Sequence, residues 1–291
     1  MYIFSLLNNC LFFPNIKQSQ TEVYLIRNRF QIMPQSAVDE YHSIATNLSE
    51  VKINQIIDFY KSFKADDTIN LHFRFIKVYG IHVATNEPRW ILLHKWINKR
   101  RIDNKNLAQY LQQLIHDGFI PLRVFQSVSE WFAPHEVFSK NQFHPRLLRS
   151  GFIPFENDES LLISIKVANQ VVKLINNDVI LIYSGNKSIH VWYPFDLPDY
   201  LHDRQLSLLY SSKQTENLDR MVRKQIYTKI KRQMESPLDH RIAEDSRRVV
   251  PIIGTFNGIT GRRVMKLTLD QLQSTSLEHD LIQSRFPAWF D

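Results

Sequence analysis

The chain has 291 residues, 44% of them hydrophobic and 12% aromatic, which is enough apolar material for one sizeable core or two small ones sharing a face, and excludes disorder throughout. Lysine and arginine number 36 against 29 aspartates and glutamates, a formal charge of +7 that suits a polyanionic partner without demanding one. The single cysteine, Cys10, excludes an internal disulfide and a structural zinc site built from several thiolates, and suggests a reducing compartment.

In chain order, the opening Met1 to Phe13 is apolar but short, lacks a basic lead and is broken by Asn8 and Asn9. It is expected to be neither a signal peptide nor a membrane span. Asn47 to Phe63 places Val51, Ile53, Ile56, Ile57 and Tyr60 at helical spacing, which predicts an amphipathic helix. Leu71 to Val78 alternates like a strand. His94 to Arg101 is a basic run around Trp96, whose ring either stacks on a base or fills a core. Asn106 to His116 predicts a second helix and Leu161 to Asn176 a third, followed by a strand over Val179 to Tyr183.

Between the second and third helices lies Phe155-Glu156-Asn157-Asp158. On a strand, residues i and i+2 point to one face, so Glu156 and Asp158 would project together and could share a divalent cation. The plainer alternative is a solvated acidic turn, with Asp158 and Glu159 favouring the N-terminus of the helix that starts near Ser160. The strand ending at Tyr183 then runs into Ser184-Gly185-Asn186-Lys187-Ser188-Ile189-His190-Val191-Trp192. Ser184 offers a hydroxyl and Gly185 a closely approachable backbone, while Lys187 and His190 bring donors that favour an anion, so a phosphate would be held here. A polar hairpin turn with a half-buried His190 is the other reading.

Residues 197 to 235 are polar and read as mostly helical, with Arg223, Lys224, Lys229, Lys231 and Arg232 clustered. They form either a solvated helix face or a track for a nucleic-acid backbone. Finally, three of the 7 glycines, Gly254, Gly258 and Gly261, fall close together and mark a tight, backbone-rich loop. No repeat, low-complexity tract, G-x-x-x-x-G-K-[ST] or G-x-S-x-G motif occurs, which disfavours a helicase or serine-hydrolase reading.

Three of these segments together resemble the small catalytic subunit of the archaeo-eukaryotic DNA primases, whose motifs run D-x-D, then S-G-x-x-G-x-H-x-W, then D-x-x-R-L-x-R-x-P-x-S-L-H-G-K-T-G. Glu156 and Asp158 stand for the first, with Glu in place of an Asp, preceded by Pro121 to Phe132, which is similar to the family's upstream segment. Ser184 to Trp192 stands for the second, with Ser188 replacing a glycine. Asp245 to Gly261 stands for the third without a gap, keeping Asp245, Arg248, Gly254, Gly258, Thr260 and Gly261, while Pro251, Asn257 and Ile259 replace an arginine, a histidine and a lysine. The resemblance begins only after about Met33, which leaves residues 1–32 as an extension or an upstream reading start.

The resemblance implies a mixed α/β (α+β) primase core over residues 33–291, an N-terminal part to 120 and a motif-bearing part from 121, with a central mixed sheet, an adjoining smaller sheet and flanking helices. It implies template-directed nucleotidyl transfer on single-stranded DNA. Two ions of Mg²⁺ or Mn²⁺ would be held by Glu156, Asp158 and Asp245. Nucleoside triphosphate would be held by Ser184, Gly185, Lys187, His190, Arg248 and Asn257, and the template by Arg223, Lys224, Lys231 and Arg232. The partners implied are a DNA template, nucleoside triphosphates, and a large primase subunit or replicative helicase, with no membrane and no structural zinc. The location expected is cytoplasmic, nucleoid-associated or, in a eukaryotic or viral host, nuclear. Two alternatives stay open: a primase-like module that binds single strands or a partner without turnover, and a gap-filling or end-joining polymerase that extends primers but cannot start them.

Overall fold

Helix α1 (Glu50–Ser62) starts where Ser49 caps it by accepting from the Lys52 backbone N–H, with Glu50 in the first turn complementing the helix dipole. The structure, a computed structural model, describes residues 48–85, 87–98, 100–138, 147–175, 178–197, 212–238 and 245–287. The extension expected over residues 1–32 lies outside them. Strands β1 (Ile76–His82) and β2 (Glu87–Leu92) follow, then the single turn α2 (Leu93–Trp96) and helix α3 (Leu107–His116). Helix α3 buries Leu107, Tyr110, Leu111 and Leu114 against α1, and Gln112 Nε2 donates to the terminal carbonyls of Tyr60 and Lys61.

Strand β3 (Phe119–Ser127) pairs with β1 from Phe119 to Gln126 with a register shift between Tyr79 and Gly80, and the two-residue β4 (Glu130–Trp131) pairs with β5 (Leu147–Arg149). Next come β6 (Phe152–Phe155), helix α4 (Leu161–Ile175), β7 (Ile180–Tyr183), β8 (Ile189–Pro194) and the long helix α5 (Ser212–Lys231). The chain then forms β9 (Val249–Pro251), β10 (Phe256–Asn257), β11 (Arg262–Arg263), β12 (Met265–Leu267) and the short helices α6 (Leu269–Gln273) and α7 (Leu277–Gln283).

The class is mixed α/β: two four-stranded sheets, ordered β2-β1-β3-β9 and β12-β7-β8-β6, with helices around them. Every pairing within both is antiparallel. The expected picture of a central mixed sheet beside a smaller one is therefore corrected. The α4 crossover does bring β7 back in the direction of β6, but β8 inserts between them and pairs antiparallel with both.

Side-chain alternation in the second sheet decides what faces where. Ile153, Phe155, Leu181, Tyr183, Ile189 and Val191 point to α4, where they pack with Val167, Ala168 and Val171. The intervening Phe152, Ile182 and Trp192 point the other way and pack with Val128, Val250, Ile253 and Val264, from segments around β3 and β9. His190 shares that second face, so the alternation turns it toward the first sheet.

One predicted strand moved: pairing begins at Ile76, not Leu71, and runs to His82. Over 71–75 the chain turns instead, closed by the Arg74 N–H donating to the Leu71 carbonyl, and the buried Arg74 guanidinium donates to the carbonyls of Ser127 and Val128 at 2.6 Å beside the backbone bonds at Phe73 and Phe75. Asn104 fixes the preceding loop, accepting from the Leu71 N–H and donating to the carbonyls of Asp66 and Ile69.

Candidate active site

Register brings the first two motifs together. Phe155 pairs with Val191 on one side of β8 and Ile182 with His190 on the other, so Glu156, one residue past the end of β6, comes level with His190. Its Oε2 lies 2.6 Å from His190 Nε2, and its Oε1 accepts from Arg248 at 3.1 Å. Arg248 arrives from the third motif in a turn closed by its own N–H donating to the Asp245 carbonyl, and its carbonyl accepts from the Val128 N–H. One carboxylate thus gathers side chains from three segments that are up to 92 residues apart in the chain.

Glu156 is 2% exposed. Burial alone would raise its carboxyl, but His190 and Arg248 outweigh that and bring it down to about 2. Asp158 is exposed at the rim. Lost hydration on its protein side and then the Glu156 charge raise it above the ordinary carboxyl range, against the opposing pulls of His190, Arg248 and Ser188.

The turn between β7 and β8 is closed by the Ser184 N–H donating to the Ser188 carbonyl. Tyr183 Oη and Arg262 both donate to the Asn186 carbonyl, and Ile189 N–H donates to Ser164 Oγ on α4 at 2.7 Å. Gly185 has φ +75°, and a Cβ there would stand 3.0 Å from Asn257 Cβ and 3.1 Å from the Arg262 carbonyl oxygen. Only glycine lets the second-motif turn dock on the third-motif loop. Thr260 Oγ1 adds a hydrogen bond to the Gly185 carbonyl. The loop itself leans on β3: Gly258 N–H donates to the Leu122 carbonyl at 2.7 Å, where a Cβ would collide with Leu122.

Two buried side-chain nitrogens around this seam have no hydrogen-bond partner among the described residues: His190 Nδ1 and Asn257 Nδ2. Ser184 is buried with them, whereas Lys187 stands exposed at the tip of the turn. Unpaired buried donors are costly, and an anionic ligand would satisfy them.

Two residues escaped the sequence reading. Lys77 on β1 is buried, with Nζ 4.4 Å from the centre of the Phe138 ring. Burial lowers its ammonium to about 7, with Asp245 pulling upward and Arg248 adding to the fall. The only signal was a lysine between the apolar Ile76 and Val78. Glu216 on α5 takes Arg247 in a two-pronged ion pair, Nε and Nη2 each at 2.8 Å, and so fixes the turn that carries Asp245 and Arg248. Nothing in the sequence marked Glu216.

The proposed template track is corrected at Arg223. Its side chain is fully buried, donating to Asp219 Oδ2 at 2.6 Å, to the Phe152 carbonyl at 2.8 Å, and to Ser129 Oγ and the Ser150 carbonyl. It fastens α5 to the edge of the second sheet and reaches no solvent. Lys224 and Lys231 are exposed on the same helix, and Arg232 is exposed just past its end. Trp96 is half-buried and donates from Nε1 to Asp117, which favours the packing reading for that ring.

The chain was expected to place Glu156 and Asp158 side by side on a strand. β6 stops at Phe155, and the two carboxylates lie beyond it, one inside and one at the rim. Among the described residues no group of three or more His, Cys, Asp or Glu side chains stands close enough to hold a metal ion. Glu156 does not fit a metal ligand, because one of its oxygens accepts from the Arg248 guanidinium and the other is taken by His190 Nε2. Asp158 and Asp245 are the two carboxylates of the expected set not held in this way.

No family model matches the chain, and no curated protein matches it. Among solved structures it is similar to the polymerase domain of ligase D from Mycobacterium tuberculosis in complex with DNA, at 10% identity and a TM-score of 0.49, over 79% of this chain and 87% of that one.

Proposed function

We propose that the chain is a nucleotidyltransferase of the primase-polymerase type, which joins nucleotides on a single-stranded DNA template. The observation that carries this reading is the meeting of three distant motif segments at Glu156, His190 and Arg248, beside buried donors that no protein group satisfies. A structural hairpin has no need of His190 Nδ1 and Asn257 Nδ2 left without partners in one seam. A triphosphate would answer that need: Arg248 supplies positive charge, while Ser184, Ser188, Asn257 and the backbone at Gly185 supply donors beside the His190 ring. Lys187, at the exposed tip, is free to reach the outermost phosphate.

In the reaction a 3′-hydroxyl attacks the α-phosphorus, one P–O bond forms, and the bond to pyrophosphate breaks in line. Mg²⁺ or Mn²⁺ carried with the triphosphate, with Asp158 and Asp245 as its protein carboxylates, would neutralise phosphate charge and lower the pKa of the attacking hydroxyl. The protein's own part is to orient the triphosphate and to shield it from water in the seam between the sheets. Residues 33–291 would act as one core, with a large primase subunit or a replicative helicase as further partners.

The test is dinucleotide synthesis on single-stranded DNA with Mg²⁺ or Mn²⁺, comparing wild type with Asp158→Ala and Asp245→Ala. Loss in both variants supports the reading, and equal signal from all three chains sinks it. Extension of a supplied primer without synthesis of a new one identifies the gap-filling type. A second reading, a primase-like module that binds nucleotide or single strands without turnover, is favoured by one observation: Glu156, the first expected metal ligand, is already spoken for. Triphosphate binding with no product under any of these conditions would establish it.

A further inference from the structure

The carboxylate at the end of β6 occupies a position expected to hold an ion, yet its surroundings are built for another purpose. We infer that Glu156 is a positioning residue, which orients the His190 ring and the Arg248 guanidinium toward an incoming phosphate and binds no divalent cation. The inference rests on the nucleotide reading for the identity of the phosphate, and on geometry alone for the role of Glu156.

Four observations converge on it. Each carboxylate oxygen has its own partner at charge-assisted distance, 2.6 Å to His190 Nε2 and 3.1 Å to Arg248. The carboxylate is 2% exposed, so an ion would have to shed its water and also displace both partners, next to a guanidinium that repels it. Glu156 Oε2 accepts from the Nε2–H, which leaves Nδ1, buried and without a hydrogen-bond partner among the described residues, as the ring atom that meets a ligand. A phosphate oxygen at Nδ1 needs a proton there, and Glu156 is then the counter-charge for a ring that carries both.

The fourth observation is length. Glu156 stands past the last paired residue of β6 and spans to His190 on β8 and to Arg248 from the third motif at once. An aspartate is one methylene shorter and would be drawn away from at least one of them. The glutamate is therefore the feature that suits this chain to positioning. Asp158, two residues on and exposed, is the carboxylate left on the solvent side.

The replacement Glu156→Asp separates the two roles, because it keeps a carboxylate for a metal and shortens the reach to His190. Inorganic triphosphate binding without metal and Mn²⁺ binding without nucleotide are measured on the full chain, the latter by electron paramagnetic resonance. The imidazole of His190 is followed by ¹⁵N NMR. The expected result is triphosphate affinity at least tenfold weaker in Glu156→Asp and Glu156→Gln, Mn²⁺ affinity within twofold of wild type in both, and the hydrogen-bonded Nε2–H signal of His190 lost in Glu156→Asp. Unchanged triphosphate affinity with Mn²⁺ affinity lost in Glu156→Gln overturns the inference. Where either variant fails to fold, wild type decides: saturating Mg²⁺ that leaves the His190 Nε2–H signal in place supports positioning, and Mg²⁺ that removes it overturns it. Wild type that binds no triphosphate at all sinks the nucleotide reading, and the NMR signals still judge the role of Glu156.

Discussion

At the scale of single residues, Gly185 shows how little freedom the candidate site has. Its φ of +75° disfavours any L side chain, and the space a methyl group would take is held by Asn257 Cβ and the Arg262 carbonyl oxygen. Replacing it with alanine would strain the backbone by about 1–3 kcal/mol. It would also push the turn away from the Asn257 loop. Gly185→Ala is therefore expected to lower the urea midpoint and to weaken triphosphate binding together, whereas Gly118→Ala, with φ +77° and nothing near its Cβ, should cost stability alone. Equal binding in the two variants would show that docking of the two loops does not shape the site. The residue types in these turns were legible in the sequence, since the polar turn after the Val179 to Tyr183 strand singled out Ser184, Gly185 and His190, and the family resemblance singled out Asp245 and Arg248. What spacing could not give was pairing. That Glu156 would meet His190 depends on Phe155 lying opposite Val191, a register set by which faces of β6 and β8 the core buries.

At the scale of elements, helix α5 was the least legible. Its polarity suggested a solvated face or a nucleic-acid track, but two of its charged residues work inward: Arg223 ties it to β6 and the Ser129 and Ser150 loops, and Glu216 holds Arg247. Helical period separates faces by hydrophobicity, and a buried ion pair carries the wrong sign for that signal. Helices α1, α3 and α4 hide mostly apolar side chains, the buried Ser164 on α4 being an exception, so their limits were readable to within a few residues. For α5 the consequence is a split between variants. Arg223→Ala leaves Asp219 buried without its partner and should cost about 3–5 kcal/mol in urea unfolding, while Arg223→Met with Asp219→Leu should recover much of the loss. The exposed Lys224, Lys231 and Arg232 should behave in the opposite way. Changing all three to alanine is expected to leave the urea midpoint nearly unmoved. If the helix tracks a single strand, the slope of log affinity against log salt falls by about 2. An unchanged slope would remove α5 from the DNA-binding surface.

At the scale of the whole molecule, the pH dependence of stability follows from two groups that face the seam between the sheets. Glu156 is held near 2 in the folded chain against 4.5 as its ordinary value, so its contribution is complete above about pH 4.5 and is lost as pH falls toward 2. Lys77 works with the other sign. Burial brings it to about 7 from 10.5, so between those values the unfolded chain binds a proton that the folded chain does not, and stability rises with pH. Below about pH 7 both states carry the proton and the penalty stays constant. Other groups titrate as well, which is why the measurement is a difference between variants. The urea midpoint of wild type minus that of Lys77→Met should climb from pH 7 to pH 10 and lie flat from pH 5 to pH 7. Wild type minus Glu156→Gln should be flat from pH 5 to pH 7 and fall from pH 4.5 downward. A flat Lys77 difference across the alkaline range would mean that its ammonium keeps an ordinary proton affinity. Lys77 would then be a fixed positive charge beside Asp245, able to hold that carboxylate but not to exchange a proton with a bound ligand near neutral pH.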